Sequence, residues 1–154
     1  MTSFNIVIDE FYHYIEHDID FFNYFNLDED ECMEVAKQRS LVLLKEATSY
    51  LCRKLGEVDT FMYNDDSEFE NELSYSEVNL LVKTMFLCYL QRDLSTLRAF
   101  QGVMTSSDLN IYSPANERKT FNDMVKTFEE ELKVEISEYS MIDRTTGMFK
   151  QICE

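Results

Sequence analysis

The sequence predicts an all-α protein: a bundle of four main helices with a long acidic loop and an extended C-terminal tail. Three observations carry this. Only 3 glycines and 1 proline punctuate 154 residues, and a β-rich chain with many tight turns uses more of both. Apolar residues recur at three- and four-residue steps over long segments, the period of one helix face. Two strongly helical segments are interrupted by one stretch of specific chemistry, Thr-Ser-Ser-Asp-Leu-Asn-Ile-Tyr-Ser-Pro-Ala-Asn-Glu at residues 105–117. It crowds Asp, Asn and Ser ahead of a proline suited to a helix entrance. The length fits one domain with a sizeable core, read as a helical domain over residues 1–142 and a tail over 143–154.

A first helix is predicted over residues 5–25, because Ile8, Phe11, Tyr12, Ile15 and Ile19 share a face opposite Asp9, Glu16, Asp20 and the histidines. Asp28 is a natural N-cap for the second helix. Glu31, three residues on, completes a capping box, and Glu29 and Asp30 favour the positive helix end. That helix runs to Leu55 and stops at Gly56, with Arg53 and Lys54 in its last turn. Ala36, Leu43, Ala47, Tyr50, Leu51 and Leu55 form its buried stripe. Residues 57–75 make an acidic connection too long for a simple turn, expected to be mobile or bound to a partner, with Phe61, Met62, Tyr63 and Phe69 as apolar anchors.

Ser74 or Ser76 caps the third helix. Its segment from Val78 through Leu90 is apolar nearly all round, which places it at the centre. The pattern continues through Leu94, Leu97, Phe100 and Met104, with a kink expected near residues 93–95. The last helix begins near Ala115, and Phe121, Met124, Val125, Phe128, Leu132, Ile136 and Tyr139 make its apolar stripe. At roughly 25 residues it measures about 40 Å. Beyond it, the tail holds a lone Gly147 beside Met148 and Phe149 and has no reason to fold alone, so it is expected to be disordered in the free protein.

A net charge of −16 argues against a nucleic-acid binder, which needs a basic patch for phosphates. The charge is lopsided: residues 1–75 carry 18 acids and 5 bases, residues 76–154 carry 12 acids and 9 bases. Self-repulsion that keeps the chain soluble accounts for such a surface, as does a wall that repels DNA or meets a basic partner. The longest apolar run, residues 85–90, is far short of a bilayer span, and the chain opens without a basic region leading into an apolar signal core. Membrane association is therefore not expected. Cys32, Cys52, Cys88 and Cys153 lie far apart with no Cys-x-x-Cys spacing, which predicts reduced thiols in a cytosol. Cys52 and Cys88, among apolar neighbours, read as small hydrophobes.

Chemistry-bearing patterns are few. His13-Tyr14-Ile15-Glu16-His17 matches His-x-x-Glu-His, in which two imidazoles one helical turn apart grip a metal. Such a site also needs a third ligand and a cleft, so a polar helix face is the favoured reading. No serine, cysteine or lysine nucleophile pairs with a base, and no Gly-rich phosphate loop exists. Acidic runs such as residues 28–31 and 129–131 read as a helix start and a solvated face. The chain is expected not to be an enzyme and to need no cofactor or metal. Within the interrupting loop, Asp108 and Ser113 suit backbone capping and Tyr112 suits packing under the bundle.

One pattern resembles a known family. The chain has an acidic, aromatic helix at Phe11-Tyr12-His13-Tyr14-Ile15-Glu16-His17-Asp18 and a long helix at residues 43–55. An acidic loop and an apolar helix over 77–90 follow. Next comes Ser-x-Asp-aliphatic-x-x-Tyr-Ser-x-Ala-Asn, here Ser106-Ser107-Asp108-Leu109-Asn110-Ile111-Tyr112-Ser113-Pro114-Ala115-Asn116. In order and spacing over residues 11–139 this resembles the small neck proteins of tailed bacteriophages, the head-to-tail connector or adaptor class. Residues 21–25 and the tail after Ser140 have no counterpart in that pattern. The resemblance implies a structural protein of the virion neck, made in the host cytoplasm. It implies a homo-oligomeric, twelve-fold ring that joins the portal protein to a neighbouring neck or tail protein. DNA would pass through its lumen without being specifically bound. The contact residues it implies are Asp108, Tyr112, Ser113, Pro114 and Asn116. Met148, Phe149 and Ile152 join them because apolar side chains on a tail suit an interface. The alternative is an acidic DNA-mimic module that occupies the basic groove of a nucleic-acid enzyme, which the charge fits.

Overall fold

The computed structural model describes residues 1–16, 18–22, 24, 27–56, 59–64, 67–101 and 114–150, with the side chains of 19, 20, 94–101 and 114–118 excepted. The protein is mostly helical. In chain order, β1 (Thr2–Ser3) leads into α1 (Phe4–Tyr14), α2 (Ile19–Phe22) and α3 (Glu29–Leu55). β2 (Tyr63–Asn64) and β3 (Glu68–Phe69) precede the long helices α4 (Tyr75–Gln101) and α5 (Pro114–Met141). α4 packs against α1, α3 and α5, and Leu81, Met85 and Leu87 on it are almost completely buried. The central place expected for the most apolar helix is the one it takes.

α3 has the expected ends. The Asp28 carboxylate accepts from the Glu31 N–H at 2.8 Å and the Glu31 carboxylate accepts from the Asp28 N–H at 3.2 Å, a reciprocal capping box. At the other end Gly56 adopts φ 66°, the left-handed region glycine tolerates best, and its N–H donates to Cys52 O at 3.1 Å. The predicted stripe is buried at Ala36, Leu43, Ala47 and Leu51, and Tyr50 and Leu55 pack against it half-buried. Ser40 and Thr48 also lie in the core, where each hydroxyl donates to the carbonyl one turn back, Ala36 O at 2.8 Å and Leu44 O at 2.9 Å. That local bond removes the cost of burying them. Among the thiols, burial pushes Cys88 up to about 11, as suits a small core hydrophobe.

The single first helix over 5–25 is corrected. α1 ends at Tyr14, the Ile15 N–H bonds to Phe11 O at 3.1 Å, and the chain turns through Asp18 into α2. Tertiary packing explains the break. In one straight helix Phe11 and Phe21 would stand about 15 Å apart along the axis, yet their rings meet edge-on with centroids 5.7 Å apart. Phe21 is fully buried, meets Tyr89 at 5.4 Å, and lies under the Arg39 guanidinium at 4.6 Å. The Tyr89 hydroxyl donates to the Asp18 carboxylate at 2.6 Å, fixing the turn.

The acidic connection also carries structure. β1, β3 and β2 form a small antiparallel sheet in that order, with Thr2 opposite Phe69 and Tyr63 opposite Phe69. Phe61 and Phe69 are fully buried, as anchors should be, whereas Met62 is exposed. Thr2 Oγ1 accepts from the Leu73 N–H at 2.8 Å, which ties the sheet to the entrance of α4. On α5, Val125, Leu132 and Ile136 are buried and Phe121, Phe128 and Tyr139 half-buried, but Met124 faces outward.

Candidate functional site

The polar cluster with the strongest internal logic joins the start of α4 to the end of α5. Ser74 caps α4, with its hydroxyl accepting from the Glu77 N–H at 3.3 Å and its own N–H donating to Glu77 Oε2 at 2.7 Å. This reciprocal box turns the Glu77 side chain inward, where it is only 1% exposed. The Tyr139 hydroxyl donates to Glu77 Oε1 at 2.6 Å. Arg144, just past α5, donates through Nε to Oε1 at 2.6 Å and through Nη2 to Oε2 at 3.2 Å. Burial alone would raise the Glu77 carboxyl, but the hydrogen bonds from Arg144, Tyr139 and Ser74 outweigh it and hold the group below the usual range. Burial and the neighbouring carboxylate push the Tyr139 phenol up.

Arg144 fixes the chain beyond α5. Asp143 N–H donates to Met148 O at 2.8 Å, Lys150 N–H to Met141 O at 2.7 Å, and Ile142 pairs antiparallel with Phe149. Gly147 closes this turn at φ 67°, and the Asp143 carboxylate accepts from the Thr145 and Thr146 N–H groups. A cavity of about 240 Å³, lined by Leu55, Tyr139, Arg144 and Lys150 among others, lies beneath. The expectation of an extended, disordered tail is therefore corrected for residues 143–150: Arg144, which carries no local sign of a partner, latches them to α4 through Glu77. Outside the latch, Met148 and Phe149 are 72% and 76% exposed, next to Met141 and Ile142 at 54% and 39%. The result is an ordered corner with an apolar outer face.

Of the other predicted contact residues, Pro114 opens α5 and Asn116 lies in its first turn, as a proline at a helix entrance should. Asp108, Tyr112, Ser113 and Ile152 lie outside the described residues. In the His-x-x-Glu-His pattern, His13 Nδ1 lies 2.7 Å from Asp9 O, α1 ends at Tyr14 before Glu16, and His17 lies outside the described residues. The continuous helical turn on which a two-imidazole grip depends is not present through Glu16. Among the described residues, no group of three His, Cys, Asp or Glu side chains could hold a metal ion. Nor is any described helix long and apolar enough to cross a membrane. The chemistry available at the corner is recognition, an apolar face held rigid by a buried ion pair. No family model, no curated protein and no solved structure matches the chain.

Proposed function

We propose that this chain is a structural, non-enzymatic head-to-tail adaptor of a tailed phage. In this reading a ring of copies sits between the portal and the next neck or tail ring as part of the DNA conduit. The observation that carries the reading is the ordered pattern of residues 106–116, set among helices in the sequence of such neck proteins. Two features of the fold support it. The three long helices α3, α4 and α5 give a stiff body, and the apolar corner of Met141, Ile142, Met148 and Phe149 suits contact with another protein rather than with water. In this role the loop containing Asp108, Tyr112 and Ser113, and the start of α5 at Pro114 and Asn116, would meet a neighbouring subunit or the portal. An acidic lumen would keep a sliding duplex from sticking. The charge of −16 also favours a second reading, an acidic DNA-mimic module that inhibits a nucleic-acid enzyme.

Mass spectrometry and cross-linking of purified virions of the encoding phage separate the two. The adaptor should be present in ring stoichiometry with the portal and cross-link to it through the apolar corner or the loop. Absence from the virion, with capture of a nucleic-acid enzyme instead, would establish the DNA mimic.

A further inference from the structure

α1 carries no lysine or arginine, and the first on α4 is Lys83. Between these two helices lies a cleft of about 240 Å³, lined by Glu10, His13 and Tyr14 of α1 and by Tyr75, Val78 and Val82 of α4 among others. Val78 and Val82 are buried and give it an apolar floor, whereas Tyr14 is exposed and the Tyr75 ring is 80% exposed. Ile6, one turn before Glu10 on the same face of α1, is also exposed and extends the apolar rim. Glu10 is exposed and belongs to none of the ion pairs between described residues. His13 Nδ1 donates to Asp9 O at 2.7 Å, which leaves Nε2 of the neutral ring as an acceptor. Past Tyr14 the balance stays negative. Lys83 is matched by Glu135 at 2.6 Å, and Glu131 adds a further carboxylate within electrostatic reach of Tyr14. An apolar floor, two exposed phenol rings and a carboxylate outside any described ion pair thus meet in one place.

We propose that this cleft is a docking socket for an arginine that projects from a basic segment of another protein. Charge complementarity selects the occupant: Glu10 is the charged carboxylate of the lining, and the net charge of −16 favours further cations beside the one it holds. The side chain of arginine also answers each part of the cleft. Its aliphatic stem packs on Val78 and Val82, its guanidinium stacks on the tyrosine rings, and its fork of N–H donors meets the Glu10 carboxylate. Lysine fits less well, because an ammonium lacks both the flat face and the paired donors. Arginine and tyrosine are also the residue types that most often dominate binding energy at interfaces. The contact goes beyond the adaptor reading and does not depend on it, since any protein partner presenting this chemistry would be recognised in the same way.

The test is a titration of the full chain with the capped tripeptide Leu-Arg-Leu, followed by amide NMR. Signals of residues 10–14 and 75–82 should move saturably at millimolar peptide. A peptide with citrulline, which keeps the shape of arginine without its charge, should bind about tenfold more weakly, and the lysine peptide should also bind more weakly than arginine. Glu10→Gln should weaken arginine-peptide binding about tenfold and Tyr75→Ala about threefold. Both positions are exposed, so each variant should keep the wild-type circular dichroism spectrum. Any cation is drawn to so negative a protein, so Glu29→Gln at the exposed start of α3, which removes the same unit of charge elsewhere, should bind as wild type. Several results would each overturn the proposal: no binding at millimolar peptide, shifts spread over the acidic surface without the cleft, a citrulline peptide that binds equally well, cleft variants that bind as wild type, or equal losses in Glu29→Gln and Glu10→Gln. So would self-association of the free chain that Glu10→Gln abolishes, because the occupant would then be a second copy.

Discussion

Glu77 is an ionised group in a place where ionised groups are expensive. Its carboxylate, 1% exposed, stays charged because four donors from Ser74, Tyr139 and Arg144 replace the water it lost. The Arg144 side chain is 41% exposed, so water screens its half of the pair. Arg144→Ala is accordingly expected to destabilise the protein by about 1–3 kcal/mol, less than the loss of a wholly buried partner. In a domain of this size each kcal/mol lowers the thermal midpoint by about 2–4 °C. The pH dependence has a definite direction. Because the folded Glu77 carboxyl titrates below its unfolded value, its stabilising contribution is complete at neutral pH. The contribution disappears as pH falls through the ordinary glutamate range to the folded value. Wild type and Arg144→Ala should therefore differ most at neutral pH and converge in acid, which chemical denaturation across a pH series measures. The capping half of this cluster was legible in sequence, since Ser and Glu three apart ahead of an apolar run is a helix-start signal. The other half was not. Arg144 lies 67 positions from Glu77, and a single arginine after a helix carries no local sign of its partner.

At the scale of elements, the long helices were readable because their caps and apolar periods agree. Asp28 to Gly56 was bounded by both signals, and the structure keeps both. The break after Tyr14 was not readable. No glycine or proline marks it, and the apolar spacing runs on through Ile15 and Ile19, so only the fit of Phe21 beneath Arg39 and against Phe11 decides it. The residues around the candidate corner divide in the same way. Met148 and Phe149 were legible as apolar side chains beyond the last stripe, but their rigid presentation comes from Arg144 and from the turn at Gly147. Anchoring and contact can therefore be separated. Deleting residues 143–154 removes the latch and should lower the thermal midpoint by several degrees, whereas Met148→Ser with Phe149→Ser should shift it by no more than about 2 °C. If the proposed adaptor role holds, the double variant should nonetheless incorporate poorly into assembled particles. Equal loss of stability in both variants would place the two side chains in the core instead.

At the scale of the whole molecule, charge dominates what the free protein does. Copies carrying −16 each repel one another at distances where contact pairs do not yet act. Low salt should therefore disfavour self-association, and moderate salt should permit it, because screening removes long-range repulsion before it weakens groups in contact. Sedimentation at a series of ionic strengths checks this, and a stable large oligomer in dilute, low-salt solution would contradict it. The folded body itself depends on contacts between distant parts of the chain. Phe4, Val7, Ile8 and Phe11 on α1 are buried against helices that include α4, and the bond from Leu73 to Thr2 spans 71 positions. During translation α1 consequently emerges long before its principal cover exists. At roughly 5–20 residues per second this apolar stripe waits for several seconds on the ribosome, a natural substrate for chaperones that bind short greasy segments. Nascent fragments that stop short of α4 should clump, and expression yield should depend more on the speed of elongation through residues 57–90 than on the stability of the finished fold.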